Sequence, residues 1–246
     1  MQSPYSRNGN RYLVILRAGD TSLHPQWLAG NERNWDLVIS YFGDNPERYA
    51  GQYDFLHRCK GSKWQGIADF FAANSQFVSS YNYVWLPDDD LFTTGKNISE
   101  FFQLVDSLSL TLAQPALTAY SFHSWRITLQ DKGVLARLTK SVGRLTNFVE
   151  IMAPCFRVDH LPIFSKTFGE NTSGWGYEWL WWKLAEKNGV PKFGIIDQTP
   201  VYHSRPVGVA GHGGSESGPD HEFKLLMRKF DLLKTKPKVL GRLFLR

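Results

Sequence analysis

Cysteine is scarce in this chain: two residues, Cys59 and Cys155, in 246, and no Cys-x-x-Cys pair. That excludes a disulfide scaffold and a cysteine-rich zinc site, and it fits a reducing compartment. Long apolar runs are missing too. None approaches the roughly 18 residues of a membrane-spanning helix. The opening MQSPYSRNGN is polar with no apolar stretch behind it, so no secretory signal is expected and the chain reads as cytoplasmic. Excess positive charge is absent from most of the sequence. The net charge is +5, but residues 223–246 hold eight Lys or Arg against one acid, Asp231, and leave the rest mildly acidic. A broad nucleic-acid-binding surface is therefore not expected. Aromatic residues, by contrast, are abundant at 15%, with nine Trp, and Trp both fills cores and stacks on sugars.

The order of apolar runs gives the fold class. RYLVILRAGD (11–20) and WDLVISYFGD (35–44) each read as a strand closed by Gly-Asp, and YDFLHR (53–58) as a weaker strand. GSKWQGIADFFAAN (61–74) has helical spacing, and YNYVWLPDDD (81–90) returns to a strand. This alternation predicts an α/β mixed sheet flanked by helices, with ligands beyond the carboxyl ends of the strands. Further on, NISEFFQLVDSLSL (97–110) reads as a helix capped by Asn97 or Ser99. ALTAYS (116–121) and NFVEIMAPCFRVD (147–159) read as strands, LPIFSKTF (161–168) as a short helix and GYEWLWWKLAEKNG (176–189) as a long one. KFGIIDQTPVYHSRP (192–206) reads as two short strands before a glycine-rich loop at 207–219. One domain over 1–222 and a basic amphipathic helical tail over 223–246 are expected. In that tail Leu226, Phe230 and Leu233 form an apolar stripe, VLGRLFLR resumes it after Pro237, and the basic face suits an anionic membrane surface.

Three features carry chemistry. Asp88, Asp89 and Asp90 follow a buried strand at once, where like charges repel unless a cation sits among them. One Asp there would be an ordinary cap. Asp88 and Asp90, two apart, point to the same side of an extended segment and make a hard-oxygen site for Mn²⁺ or Mg²⁺. The second feature is SGWGYEW (173–179), which delivers Glu178 into the first turn of a helix beside Trp175, Trp179 and Trp182. A glutamate there serves the helix dipole, or acts as a general base facing a sugar acceptor. The third is His203, a candidate third metal ligand, with Arg205 near enough to hold a phosphate.

Together, the α/β amino-terminal half, the Asp-x-Asp at a strand end, the Gly-Trp-Gly-x-Glu helix start and the late His resemble GT-A nucleotide-sugar glycosyltransferases. The wording CKGSKWQGI, VWLPDDDL, GWGYEW and PVYHSRPVG is similar to the family called domain of unknown function 707. The GT-A resemblance implies a nucleotide-sugar donor, a glycan or lipid-linked acceptor and an inverting transfer. It implies that Asp88 and Asp90 hold the metal with the donor diphosphate, and that His203 is a metal ligand. Asp44 would read the nucleotide base, Lys60 and Lys63 would face the diphosphate, and Asp89 and Arg205 would stand with the donor. Trp175 and Tyr177 would meet the acceptor, with Glu178 as the base. The sequence departs from the pattern after Glu178, where a second acid is replaced by Trp179. Alternatives are a nucleotidyltransferase, for which no glycine-rich phosphate loop follows the first strand, and a metal-dependent hydrolase, for which the other His are too scattered. A non-enzymatic carbohydrate-binding protein would use the Trp wealth but not the acidic strand end.

Overall fold

A computed structural model describes residues 5–30, 33–45, 47–206 and 218–245. The chain runs β1 (Tyr12–Ala18), β2 (Trp35–Tyr41), β3 (Phe55–Arg58), α1 (Lys63–Val78), β4 (Tyr83–Trp85), β5 (Leu91–Phe92), α2 (Gly95–Ser107) and β6 (Leu112–Leu117). It continues α3 (Val134–Thr139), β7 (Gly143–Thr146), β8 (Cys155–Arg157), α4 (Leu161–Phe164), α5 (Tyr177–Lys187), β9 (Phe193–His203), α6 (Pro219–Lys229) and β10 (Val239–Leu243). The strands lie in the order β10-β7-β9-β6-β8-β4-β1-β2-β3, with β5 on β9. β3, β2, β1 and β4 are parallel, β8 runs against both β4 and β6, and β6 and β9 are parallel again.

β1 and β2 are buried along their whole length, which is why they read as unbroken apolar runs rather than alternating ones. Successive β1 residues enter different cores. Tyr12, Val14 and Leu16 pack with Phe101, Phe102 and Val105 of α2, and Leu13 and Ile15 pack with Trp64, Ile67 and Phe70 of α1 and Trp181 of α5. Ser62 and Gln65 form a reciprocal capping box at the start of α1.

Several elements differ from the sequence reading. The cap of α2 is Thr94, whose side chain accepts from Asn97 N–H, so Asn97 and Ser99 lie inside the helix. Residues 192–206 hold one strand, not two. The register with β6 shifts between Pro115 and Leu117, and the resulting irregularity accommodates Pro200 within β9. Of 147–159 only Cys155–Arg157 is strand. On α5 Tyr177, Trp179, Leu180 and Trp181 are buried in the core, and Trp175 precedes the helix. In the tail, Leu226 of α6 is a core residue, and VLGRL is not helix but an antiparallel edge strand on β7. Pro237 stops a helix there, and Leu243 is drawn into the core. Among the described residues no helix is long and apolar enough to cross a membrane.

Candidate active site

The carboxyl ends of β1, β2 and β4 converge, and the aspartates leave the end of β4 into that space. Each of the three has a different environment. Asp88 is half-buried, and its Oδ1 accepts from Lys63 Nζ at 2.6 Å. Burial pushes its carboxyl up, and the Lys63 charge opposes this. Lys63 is the first residue of α1 and also donates to the carbonyls of Ile151 (2.8 Å) and Met152 (3.1 Å). Asp89 serves the fold: Oδ2 accepts from Gly19 N–H at 2.8 Å and Oδ1 from Arg205 at 3.1 Å. Asp90 is buried. Its Oδ2 lies 3.1 Å from His203 Nε2, and its Oδ1 has no hydrogen-bond partner among the described residues.

His203 ends β9 opposite Leu91 of β5, which brings it beside Asp90. Its Nδ1–H donates to the Phe122 carbonyl at 2.7 Å, which turns Nε2 toward the aspartates. Burial disfavours its charged form, but the bonds to Asp90 and Phe122 prevail and raise its pKa. One ligand atom from each of Asp88, Asp90 and His203 lies within 4.8 Å of the others. Two carboxylates and an imidazole, with one buried carboxylate oxygen unsatisfied, are a donor set that fits Mn²⁺ or Mg²⁺.

A second wall is acidic. Glu178 is buried at the start of α5, and its carboxylate accepts from the N–H of Gly176 (3.2 Å), from its own N–H and from Ile151 N–H. Burial pushes it up to about 7, against those bonds. Ile151 thus joins the two walls, with its N–H on Glu178 and its carbonyl on Lys63. Its neighbour Glu150 is also buried, and Glu150 Oε2 has no hydrogen-bond partner among the described residues. Burial first, then the Glu178 charge, push Glu150 up to about 8, with His203 opposing and Asp88 adding to the shift.

The family described as "Protein of unknown function (DUF707)" matches residues 56–230, from β3 to the end of α6. The chain belongs to DUF707. No curated protein matches it. Among solved structures, S. aureus TarS 1-349 in complex with UDP-GlcNAc is similar at TM-score 0.54 and 10% identity, covering 89% of this chain and 65% of that one. A longer S. aureus TarS structure is similar at TM-score 0.52 and 9% identity, covering 79% of this chain and 37% of that one. The chain spans less than two thirds of either TarS chain. At such identity the likeness is one of fold, a GT-A-like, glycosyltransferase-type mixed sheet flanked by helices.

The remaining expected residues of this DUF707 chain fall into four groups. Asp44 and Lys60 form an exposed ion pair at 2.6 Å and line a shallow cleft with Tyr41, Gly43, Arg58 and Cys59, at the carboxyl ends of β2 and β3. Arg205, expected at a phosphate, spends its guanidinium on Asp89 and on the Thr21 carbonyl and hydroxyl, so it staples the strand ends together. Tyr177, expected at the acceptor, is fully buried between Trp64 and Trp181, with its hydroxyl on the Asn171 backbone. An aromatic ring two places after Trp175 reads like a sugar platform, but packing has claimed it. Trp175 is half-buried, its carbonyl held by Asn171. Of the glycine-rich loop expected at 207–219, residues 207–217 lie outside the described residues, and Pro219 is the first residue of α6. Glu150 escaped the sequence reading because EIMAP looks like strand interior; its one signal was an acid in an otherwise apolar run.

Proposed function

We propose that this chain is a metal-dependent, inverting glycosyltransferase that moves a sugar from a nucleotide-sugar donor to a glycan or lipid-linked acceptor in the cytoplasm. The observation that carries this is the unsatisfied buried Oδ1 of Asp90 inside the Asp88, Asp90 and His203 cluster, at the carboxyl edge of a GT-A-like sheet. The complex of a TarS chain with UDP-GlcNAc supports the donor class.

Asp88, Asp90 and His203 would hold Mn²⁺ or Mg²⁺, which when bound supplies positive charge against a leaving diphosphate. Lys63 adds a fixed cation at Asp88 and holds the 150–152 segment beside it. Asp44 and Lys60 offer the nucleotide a polar cleft. Glu178 accepts the proton of the acceptor hydroxyl as the hydroxyl attacks. A carboxyl poised near neutrality suits that work, since proton transfer is most efficient when the catalytic pKa lies near the working pH. Trp175 is the aromatic contact left for the acceptor once Tyr177 is assigned to the core.

Thermal shift with nucleoside diphosphates, with Mn²⁺ or with chelator, tests the reading. The wild type should be stabilised only when metal and nucleotide are both present, and Asp90→Ala should lose that stabilisation while keeping its unliganded Tm. Equal stabilisation by the diphosphate in chelator would sink it.

A further inference from the structure

Composition puts the positive charge in the tail, but the structure does not leave it as a free amphipathic helix. Leu226 is in the core, and Lys234 is held over the rings of Trp125 and Phe223. The apolar surface lies elsewhere. On α3, Val134, Leu135 and Leu138 share one helical face and are 73%, 58% and 77% exposed. Beside α3 runs β10, the edge strand of the sheet. Arg242 of β10 donates to Asp131 Oδ2 and to Ser141 Oγ, residues on either side of α3. Alternation along a strand puts Phe244, also exposed, on the same face as Arg242.

Charge accompanies these side chains. Residues 132–140 and 232–245 contain seven Lys or Arg and no acid. Lys132, Arg137, Lys140, Lys236 and Lys238 form no ion pair among the described residues, which leaves their charge for an outside partner.

The topology decides where this surface points. β10 runs against β7, β7 runs against β9, and β9 is parallel to β6, so β10 runs in the same direction as β9. The carboxyl end of β10, with Phe244 just beyond it, therefore points the same way as the carboxyl end of β9, with Leu243 level with Gly143 and Gly143 level with Ile196, seven residues before His203. α3 lies toward the same end of β10, because it feeds the start of β7 at Gly143, the residue paired with both Leu243 and Ile196.

We propose that α3 and the carboxyl end of β10 form a docking face for an anionic lipid surface. Exposed aliphatic and aromatic side chains enter the interfacial region, and unpaired Lys and Arg meet the headgroups. A neutral or basic partner surface would leave these Lys and Arg side chains without countercharge. The inference stands on the surface alone, and its test needs no transfer activity.

Co-sedimentation of the full chain with vesicles of phosphatidylcholine, with and without about a third phosphatidylglycerol, decides it. Binding is expected only to the anionic vesicles and should weaken as salt is raised past physiological strength. The double change Leu135→Asp, Leu138→Asp should raise the lipid concentration for half-binding at least tenfold without lowering Tm, since both side chains are exposed. Lys132→Gln with Lys140→Gln should weaken binding more at low salt than at high salt. Failure to bind anionic vesicles at low salt, or unchanged binding by the Leu135/Leu138 variant, overturns the proposal. So does a concentration-dependent dimer that the same variant abolishes when no vesicle binding is seen, which would give the face to a second copy of the chain.

Discussion

Two buried carboxyls with raised pKa values make opposite demands on the protein, one for function and one for stability. Glu178, near 7, is usable as a base only when ionised, so the rate should climb with pH through neutrality. Replacing it with Gln removes the proton acceptor but keeps the shape and much of the backbone hydrogen bonding. Turnover should fall by about 10²–10⁴ with donor affinity nearly unchanged; a variant at wild-type kcat would return Glu178 to the simpler work of starting a helix. Glu150 tests the stability side. Its folded pKa, about 8, is raised above the usual 4.5, so in metal-free protein the folded state holds a proton that the unfolded state releases. Stability is then lost as pH rises from about 4.5 toward about 8. Glu150→Gln removes the ionisation, so in chelator it should raise Tm over wild type at pH 8 and change it little at pH 4. The gain at pH 8 is on the order of a few kcal/mol. Equal effects at both pH values would show that packing, not ionisation, governs this position.

At the scale of elements, α1 does two jobs. Its apolar face fills one core, and its first residue is the lysine that balances Asp88 and holds the 150–152 segment. Ser62→Ala breaks the capping box and should cost about 1 kcal/mol, read as a lower Tm. Because the cap sets the first turn, metal-dependent nucleotide binding should weaken as well; loss of stability with binding untouched would separate the cap from the site. The contrast between α1 and the tail shows what the sequence made legible. β1, β2, α1, α5, Asp88 and Asp90 could be read because an apolar period or a local charge conflict marks each of them, whereas His203 is a lone candidate that only the pairing of β9 with β5 brings beside Asp90. Tyr177 could not, because whether a ring lines a core or a ligand depends on Trp64 and Trp181, which only the fold brings to it. Glu150 could not either, since its meaning comes from Glu178, a residue on another element. VLGRL reads as helix or strand with equal ease until β7 is there to pair with it.

Across the whole molecule, the sheet is assembled out of sequence order. β8 is inserted between β4 and β6, and β9 and β7 extend the far side, so the candidate site is sewn from residues that begin at Gly19 and end at Arg205. Ser204 reaches the Asp90 carbonyl across 114 positions of chain. That stitching has a kinetic meaning. Non-local pairings are the slow ones to form, because the loop between the partners must close before any contact rewards it. The amino-terminal strands can pair over short loops and bury their tryptophans early, whereas His203 can meet Asp90 only after β9 has found β6. After dilution from denaturant, tryptophan burial should therefore recover first, and Mn²⁺-dependent nucleotide binding should return with the slowest phase. If binding returned ahead of the fluorescence, the order would be reversed. Until β9 docks, a nascent chain of this protein has its amino-terminal core but no Asp88, Asp90 and His203 cluster, so it can be folded in large part and still lack the candidate site.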